Sequence, residues 1–291
     1  MQTSKVVIIG CGIAGMTAAI YLKRGGIEPL IIENNAPGGK LGIIPNIENY
    51  PGYENISGPD LAMHIYNQVN NLNIKCIFKN IKKVDLDKKI IDNEIKFEYL
   101  IIATGRRPKL LNLANEDKML GKGISTCALC DGTFYKGKNV IVVGGATSAL
   151  TESLYLSTIC HKVTIILRRK HFTGEKYLIE KVLKTKNIKV IYNSNITNYN
   201  IKNNKLESVT LDSNKKIKAD GIFLALGGIP NSDLFDLEKE SDYIITDNKY
   251  ETSIKNVFAV GDVIKKDYYQ LINAASEGMV AASSIIEREK Y

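Results

Sequence analysis

The chain has 291 residues, 44% of them hydrophobic, and a formal net charge of +8 at pH 7. This length is sufficient for two domains with separate cores. Five cysteines with only one close pair argue against a secreted disulfide scaffold, and the absence of nucleic-acid-binding motifs argues against a nucleic-acid partner. We therefore expect a cytoplasmic globular protein whose basic surface is either simply solvated or faces an acidic partner.

The N-terminal residues are predicted to form a strand–helix–strand unit. Residues 5–10 (KVVIIG) have the continuous apolar character of a buried parallel strand, residues 13–24 that of a helix, and residues 29–33 (PLIIE) that of a second strand. Three glycines interrupt the apolar run from Val6 to Leu22, so a signal sequence is not predicted. Since no other apolar run reaches membrane-spanning length, we expect a soluble protein with no membrane partner.

A G-x-G-x-x-G turn, formed by Gly10, Gly12 and Gly15, joins the first strand to the helix. Glycines at these positions allow a tight turn, a close approach of pyrophosphate to the backbone, and close packing of helix on strand. Glu33 ends the second strand, where a carboxylate binds ribose hydroxyls and repels a 2′-phosphate. Together these features predict a dinucleotide site, and the alternative is a glycine-rich turn without a ligand.

Cys127, Cys130 and Asp131 lie in the sequence CALCDG. Two thiols at this spacing beside a carboxylate indicate redox chemistry, because one sulfur attacks a disulfide while the other resolves the mixed disulfide. A zinc site is the alternative, but the remaining cysteines and histidines are scattered without ligand spacing. We therefore predict a redox-active pair and no metal site.

A second strand–helix–strand unit is predicted, with its elements at residues 139–144, 147–158 and 162–167. Its turn retains Gly144 and accepts Ala149 at the third position, but Ala146 replaces the second glycine. A methyl group there crowds an approaching pyrophosphate. Arg168 and Arg169 after the second strand nevertheless suit the 2′-phosphate of NADPH, so the two signals disagree.

Further apolar strands are predicted at residues 99–103, 221–225 and 256–260, each ending at or near glycine. Segments rich in Asn and Lys at residues 85–94 and 198–217 are predicted to form exposed hairpins or meanders inserted in the nucleotide folds.

An ordered series of motifs extends over nearly the whole chain: GCGIAG at 10–15, GGKL at 38–41, IENYPG at 47–52, ATG at 103–105, CALCDG at 127–132, GIPN at 228–231, TS at 252–253 and AVGD at 259–262. This series resembles the low-molecular-weight thioredoxin reductase family. The resemblance implies an α/β fold with two Rossmann-like nucleotide-binding domains connected by a two-stranded linker. A discontinuous FAD domain (1–113 and 243–291) would hold an inserted pyridine-nucleotide-type domain (114–242) carrying the Cys-x-x-Cys motif.

The resemblance also implies a set of FAD contacts: Gly10, Gly12, Ile13, Ala14, Gly15, Glu33, Asn34, Gly38, Gly39, Lys40, Leu41, Asn49, Ala103, Thr104, Gly105, Gly261, Asp262, Tyr269, Gln270 and Leu271. Asp262 would bind the ribityl chain, and Gln270 the isoalloxazine edge. The alternatives are that Asn49 is a turn residue and Asp262 a helix cap.

In that family the second cysteine, here Cys130, faces the flavin, and the first, here Cys127, attacks the disulfide of thioredoxin. Asp131 would be the acid/base that serves the leaving thiolate, and its alternative role is a helix N-cap. A homodimer is implied by the resemblance alone.

Three departures from the family concern the electron donor. Ala146 replaces the pyrophosphate glycine, a His-Arg-Arg with a later Arg reads Leu167-Arg168-Arg169 with Thr173, and Tyr269 replaces an Arg over the flavin. These departures and the basic charge favour reduced ferredoxin, as in the ferredoxin-dependent flavin thioredoxin reductases, over NADPH. A conventional NADPH-dependent thioredoxin reductase and a non-catalytic flavin-bound redox sensor are the alternatives.

Overall fold

The computed structural model describes residues 1–44, 47 and 49–290, with all their side chains except those of Ile43 and Cys130. The helices are α1 (Ile13–Arg24), α2 (Gly58–Asn71), α3 (Glu116–Met119), α4 (Ala128–Asp131), α5 (Thr147–Ile159), α6 (Lys176–Lys184) and α7 (Leu271–Lys290). The strands are β1 (Gln2–Ile9), β2 (Pro29–Glu33), β3 (Lys75–Phe78), β4 (Val84–Asp85), β5 (Ile90–Ile91), β6 (Ile95–Ile102), β7 (Arg106–Pro108), β8 (Ile124–Ser125), β9 (Asn139–Val143), β10 (Lys162–Ile166), β11 (Ile188–Ile191), β12 (Ile196–Lys202), β13 (Lys205–Leu211), β14 (Lys216–Lys218), β15 (Gly221–Leu224), β16 (Gly228–Pro230), β17 (Lys239–Glu240), β18 (Tyr243–Ile244) and β19 (Val257–Ala259).

The chain folds into two units, one formed by residues 1–107 and 229–291 and the other by residues 108–228. The sequence placed the boundaries after residues 113 and 242, and both lie earlier in the structure. The second boundary lies earlier because the residues that follow β16 belong to the first unit: Phe235 is 1% exposed within its core, and Ser232 Oγ donates to the Asp242 carbonyl at 2.6 Å. Strands β7 and β16 pair as the two-stranded linker.

The first unit contains a sheet whose parallel strands lie in the order β3-β2-β1-β6-β19, and the β4–β5 hairpin extends it in antiparallel pairing along the first half of β6. Helix α1 and strand β2 have their predicted bounds. Strand β1 begins at Gln2 rather than at residue 5, because the backbone of its polar first residues pairs with β6. Backbone pairing of this kind leaves no hydrophobic pattern in the sequence.

The core of the first unit lies on both faces of this sheet. Fully buried side chains such as those of Ile8, Ile31 and Leu100 each contribute about 1.5–3 kcal/mol by their removal from water. Helices α1 and α7 lie so close together that a Cβ on Gly278 would be 2.2 Å from the Ala14 carbonyl oxygen. Glycine is therefore required where the two helices pack.

The second unit contains a parallel sheet in the order β11-β10-β9-β15-β8 and a three-stranded antiparallel meander, β12-β13-β14. The meander confirms the prediction for the Asn- and Lys-rich segment at 198–217.

Among the described helices, none has both the length and the apolar composition needed to cross a bilayer.

Parallel strands bring the segments that follow them to one edge of each sheet. In the first unit this edge carries the residues after β1, β2, β6 and β19, which are four of the segments predicted to contact FAD. In the second unit it carries the residues after β8, β9 and β15, and therefore both the Cys-x-x-Cys motif and the second glycine turn. Ligands of such sheets bind at the carboxyl ends of the strands.

Candidate active site

The first glycine turn leaves space for a ligand only at its second glycine. A Cβ on Gly10 would lie 2.3 Å from the Ala103 carbonyl oxygen, and one on Gly15 would lie 2.0 Å from the Gly10 carbonyl oxygen. A Cβ on Gly12 would meet no protein atom within 4 Å. Gly12 is the N-cap of α1 and has no capping side chain among the described residues, and the first helical residues, Ile13 and Ala14, bury their side chains in the core. The N–H groups at this helix start are thus available to a phosphate group.

Glu33 ends β2 beside this turn and is held in place by the backbone. Its Oε2 accepts a hydrogen bond from Cys11 N–H at 2.7 Å, and its Oε1 accepts from Asn34 N–H at 2.8 Å and from Asn35 N–H at 3.0 Å. A carboxylate has about four acceptor positions, so one remains for a ribose hydroxyl. This arrangement fixes the acid at the position where a Rossmann fold binds ribose.

The segment after β6 is fixed by Asn231. Thr104 Oγ1 donates to the Asn231 carbonyl at 2.7 Å, Asn231 Nδ2 donates to the Thr104 carbonyl at 2.9 Å, and Asn231 N–H donates to the Gly105 carbonyl at 2.9 Å. Ala103 is buried and lies against Gly10. These contacts connect the predicted ATG and GIPN motifs, which lie more than a hundred positions apart in the chain.

Asp262 lies in the 3-10 helix Gly261–Val263, directly after Gly261. Its Oδ2 accepts a hydrogen bond from Arg106 Nε at 3.1 Å and lies 3.6 Å from Lys40 Nζ. Burial lowers the pKa of Lys40, and the neighbouring Arg106 lowers it further. Lys40 and Asp262, two predicted FAD contacts from distant segments, therefore lie close together in the structure. Arg106, which was not predicted as a contact, also binds Asp262.

The 3-10 helix Gly39–Ile43 buries one of the predicted residues. Leu41 is 1% exposed, and its side chain belongs to the core, so only its backbone is available to a ligand. Gly38 and Gly39 have positive φ angles of 105° and 54°, which permit the turn that leads into this helix.

Asn49 and Gln270 come together although 221 positions separate them. Asn49 Nδ2 donates to Gln270 Oε1 at 3.2 Å, and both side chains are exposed. Glu48, which belongs to the same IENYPG motif, lies outside the described residues. Both amides retain donor and acceptor groups that suit the edge of a flavin ring.

Tyr269 is packed against cationic and aromatic side chains. The Arg106 guanidinium lies 4.0 Å from the centroid of its ring, and the Tyr243 ring centroid is 5.8 Å away. Burial, aided by a hydrogen bond with Tyr243, raises the pKa of Tyr269 to about 12, so its hydroxyl stays protonated. Arg106 already covers one face of the ring, and the contact of Tyr269 with FAD stays a prediction. Leu271 begins α7 and packs against the core.

Glu277 is a buried acid that the sequence reasoning missed. It is 4% exposed, accepts a hydrogen bond from Gly261 N–H at 2.7 Å, and forms an ion pair with Lys266 at 2.7 Å. Burial raises its pKa, although Lys266 and the Gly261 N–H oppose the shift. Its burial could have been predicted from the sequence, because Glu277 shares the helical spacing of Ala274, Gly278 and Ala281, which form the buried face of α7.

Replacing Glu277 by alanine is expected to destabilise the protein by about 3–5 kcal/mol, because the Lys266 side chain, which is only 11% exposed, loses its partner. The free energy of unfolding, measured by urea denaturation, tests this expectation. Glu287→Ala on the same helix is the matched control: its carboxylate is 67% exposed and lies 3.9 Å from Lys249, so a change within about 0.5 kcal/mol is expected. Equal effects of the two substitutions would contradict the stabilising role of the Glu277–Lys266 ion pair.

Cys127 follows edge strand β8 in the second unit and is disulfide-bonded, whereas Cys11, Cys76 and Cys160 are free thiols. Ser125, which is buried, accepts a hydrogen bond from Cys127 N–H at 3.0 Å and donates to its carbonyl at 3.1 Å. The Cys130 side chain lies outside the described part of the structure, so the predicted pairing of the two cysteines stays a prediction.

Asp131 ends α4 and is half-buried. It occupies the N-cap position of the following 3-10 helix, Gly132–Tyr135, but its side chain makes no capping hydrogen bond. Asp131 thus holds the N-cap position of the alternative prediction, but without the side-chain hydrogen bond by which a cap stabilises a helix. Asp131 also contributes to the raised pKa of Tyr135, which is caused mainly by burial.

The second glycine turn differs from the first in its access to a ligand. Ala146 is the N-cap of α5, as Gly12 is of α1, and its methyl group is exposed. The backbone at Gly174 lies against this turn, because a Cβ there would be 2.8 Å from Thr147 N and 3.0 Å from Ala146 C. Thr173 N–H donates to the Gly145 carbonyl at 2.8 Å and holds the segment in place. The helix start that would bind pyrophosphate is thus partly covered by the chain itself.

Comparisons with known proteins agree with this architecture. A family model described as pyridine nucleotide-disulphide oxidoreductase matches residues 4–278. Thioredoxin reductase of Rickettsia conorii is 39% identical, over 99% of this chain and 98% of that protein. The crystal structure of Lactococcus lactis thioredoxin reductase has a TM-score of 0.83 at 32% identity, over 98% of both chains. A ferredoxin-flavin thioredoxin reductase from Clostridium acetobutylicum has a TM-score of 0.55 at 27% identity, over 100% of this chain and 99% of that one.

The sheets, the glycine turn and these matches define the class of the protein, a two-domain nucleotide-binding oxidoreductase. The chain belongs to the pyridine nucleotide-disulphide oxidoreductase family and, within it, to the thioredoxin reductases. FAD is the cofactor that this membership implies. The open space at Gly12, the remaining acceptor position of Glu33 and the exposed amides of Asn49 and Gln270 fit such a cofactor.

Proposed function

We propose that this chain reduces the disulfide of thioredoxin with a dithiol formed by Cys127 and Cys130. The disulfide-bonded Cys127 after β8, in a chain whose first unit has a complete dinucleotide turn, is the observation that carries the proposal. FAD, when bound, supplies the two electrons that open this disulfide. Gly10, Gly12, Glu33, Asn49 and Gln270 would hold it.

The cysteines would then act in two exchange steps. The Cys127 thiolate attacks one sulfur of the thioredoxin disulfide, forms a mixed disulfide and releases the other sulfur as a thiolate. The Cys130 thiolate next attacks the Cys127 sulfur, which re-forms the internal disulfide and releases the second thioredoxin sulfur. Asp131 would exchange protons with the thiols, since its carboxylate is not used in helix capping. Two electrons and two protons pass to thioredoxin.

For the electron donor we propose reduced ferredoxin. The exposed methyl of Ala146 and the backbone of Gly174 restrict the helix start where a pyrophosphate would bind, which supports a donor other than NADPH. Thr173 takes the place of an arginine and hydrogen-bonds to Gly145. The net charge of +8 suits an acidic electron carrier. A homodimer and a cytoplasmic location stay predictions.

NADPH is the second candidate donor, and the comparisons favour it. The relatives with higher identity, from Rickettsia conorii and Lactococcus lactis, are named thioredoxin reductase without mention of ferredoxin. The ferredoxin-flavin thioredoxin reductase has the lower TM-score, 0.55. Arg168 and Arg169 also remain available to a 2′-phosphate.

Anaerobic titration of the oxidised flavoprotein decides between the two donors. We expect the flavin absorbance to stay unchanged on addition of NADPH and to bleach on addition of reduced ferredoxin, with subsequent reduction of thioredoxin. Rapid bleaching by NADPH would contradict the ferredoxin proposal and leave the thioredoxin reductase proposal intact. If a chemically reduced enzyme left thioredoxin oxidised, the thioredoxin reductase proposal itself would be wrong.

A further inference from the structure

Glu152 is a half-buried acid next to the redox motif, and one of its carboxyl oxygens is fully buried. The exchange steps described above do not use it. It lies on α5, which packs against α4, the helix that begins between the two cysteines. Its Oε2 atom is inaccessible to solvent and has no hydrogen-bond partner among the groups that the structure describes. A buried carboxyl oxygen without a partner is costly when charged, so its presence calls for an explanation.

The same carboxyl group contacts the backbone beside the reactive sulfur. The N–H of Ala128, the residue after Cys127, donates a hydrogen bond to the Glu152 carboxyl group. Ala128 is 1% exposed, so no water replaces this bond. Ser125 Oγ accepts from the N–H of Cys127 at 3.0 Å. Ser125 and Glu152 therefore accept hydrogen bonds from two consecutive backbone N–H groups, those of Cys127 and Ala128, and so fix the backbone on which the Cys127 side chain stands.

The surroundings of Glu152 favour its neutral form. Burial raises its pKa from 4.5 to about 7, against the opposing effect of the Ala128 N–H, and no charged side chain contributes to the shift. The elements packed against α5 carry these titratable groups: Asp131 on α4, Tyr135 on the 3-10 helix, Lys162 on β10, and Lys176, Tyr177, Glu180, Lys181 and Lys184 on α6. Because folding raises this pKa, the bound proton stabilises the fold at acidic pH, and that contribution is lost as the pH rises through about 7.

We propose that Glu152 is a positioning residue for the redox pair: one of its carboxyl oxygens holds the peptide after Cys127, and the charge of Glu152, once its proton is lost, opposes formation of the Cys127 thiolate. The inference rests on the proposed function, because it assigns a role at the Cys127 site. Opening the disulfide consumes two electrons and two protons and yields two thiols, one of which must release a proton before it attacks. A negative charge on α5, the helix packed against α4, disfavours that release because like charges repel.

The test measures the reactivity of Cys127 as a function of pH. The full-length flavoprotein is reduced anaerobically with excess dithiothreitol, and alkylation of Cys127 by iodoacetamide is followed by mass spectrometry. In the wild type we expect two inflections, that of the thiol and one near the pH of about 7 at which Glu152 titrates. In Glu152→Gln the second inflection is expected to disappear. Alkylation above neutral pH should then be faster by about tenfold, which corresponds to one pKa unit.

Glu180→Gln is the matched control, because this exposed acid on the neighbouring helix α6 should leave both inflections in place. An unchanged profile in Glu152→Gln would overturn the inference. Should that variant fail to fold, infrared difference spectra of the wild type, disulfide minus dithiol, replace it. A carboxyl band that changes on reduction supports the inference, and its absence overturns it. Alkylation requires neither thioredoxin nor an electron donor, so failure of the proposed function would leave this result unaffected.

Discussion

Replacing Cys127 by serine is expected to reduce thioredoxin reduction to the uncatalysed background while FAD remains bound. Cys127 is disulfide-bonded and half-buried, and both its N–H and its carbonyl are held by Ser125. The substitution leaves these backbone hydrogen bonds in place. A serine hydroxyl, however, cannot attack a disulfide, because it is not ionised near neutral pH. Thioredoxin reduction by the reduced enzyme and the flavin absorbance of the same sample measure the two parts of the expectation.

Cys160→Ser is the matched control for that substitution. Cys160 is a free thiol in the second unit that is 7% exposed, and burial raises its pKa to about 11, so it stays protonated and unreactive. Its replacement should leave turnover largely unchanged at temperatures well below unfolding. Retained turnover in Cys127→Ser, or an equal loss in Cys160→Ser, would show that Cys127 is not the exchange thiol.

Alanine substitutions in the first glycine turn are expected to separate folding from cofactor binding. In Gly15→Ala the new Cβ would lie 2.0 Å from the Gly10 carbonyl oxygen, so the backbone must shift, and we expect a loss of about 3 kcal/mol or more in the free energy of unfolding. In Gly12→Ala no protein atom is within 4 Å of the new Cβ, and the apoprotein should change by less than about 1 kcal/mol.

The methyl group of Gly12→Ala instead occupies the space assigned to pyrophosphate. A steric cost of about 1–3 kcal/mol corresponds to a roughly 5- to 150-fold weaker FAD complex. Urea denaturation of the apoprotein and FAD titration by fluorescence provide the two measurements. Normal FAD affinity in Gly12→Ala would place the cofactor elsewhere, and normal stability in Gly15→Ala would contradict the observed packing of α1 on β1.

Local patterns predicted the elements around the first nucleotide turn well. Helix α1 and strand β2 have the predicted bounds, because glycines, a basic last turn and a short apolar run are all local signals. The unit boundaries lie earlier than predicted. Phe235 was assigned to the inserted domain, and only the three-dimensional fold shows that it packs in the core of the first unit.

The sequence by itself determined the two nucleotide-fold units and the glycine turn, and it located the Cys-x-x-Cys motif, since each depends on residues that are neighbours in the chain. Only the tertiary structure decided which distant side chains share a site. It brought Asn49 to Gln270, placed Arg106 between Asp262 and Tyr269, and buried Glu277 and one carboxyl oxygen of Glu152. Long-range contacts and burial depend on how sheets and helices pack, and packing imposes no spacing that a single sequence displays. For that reason the acid beside the cysteines became visible only when α5 was seen packed against α4.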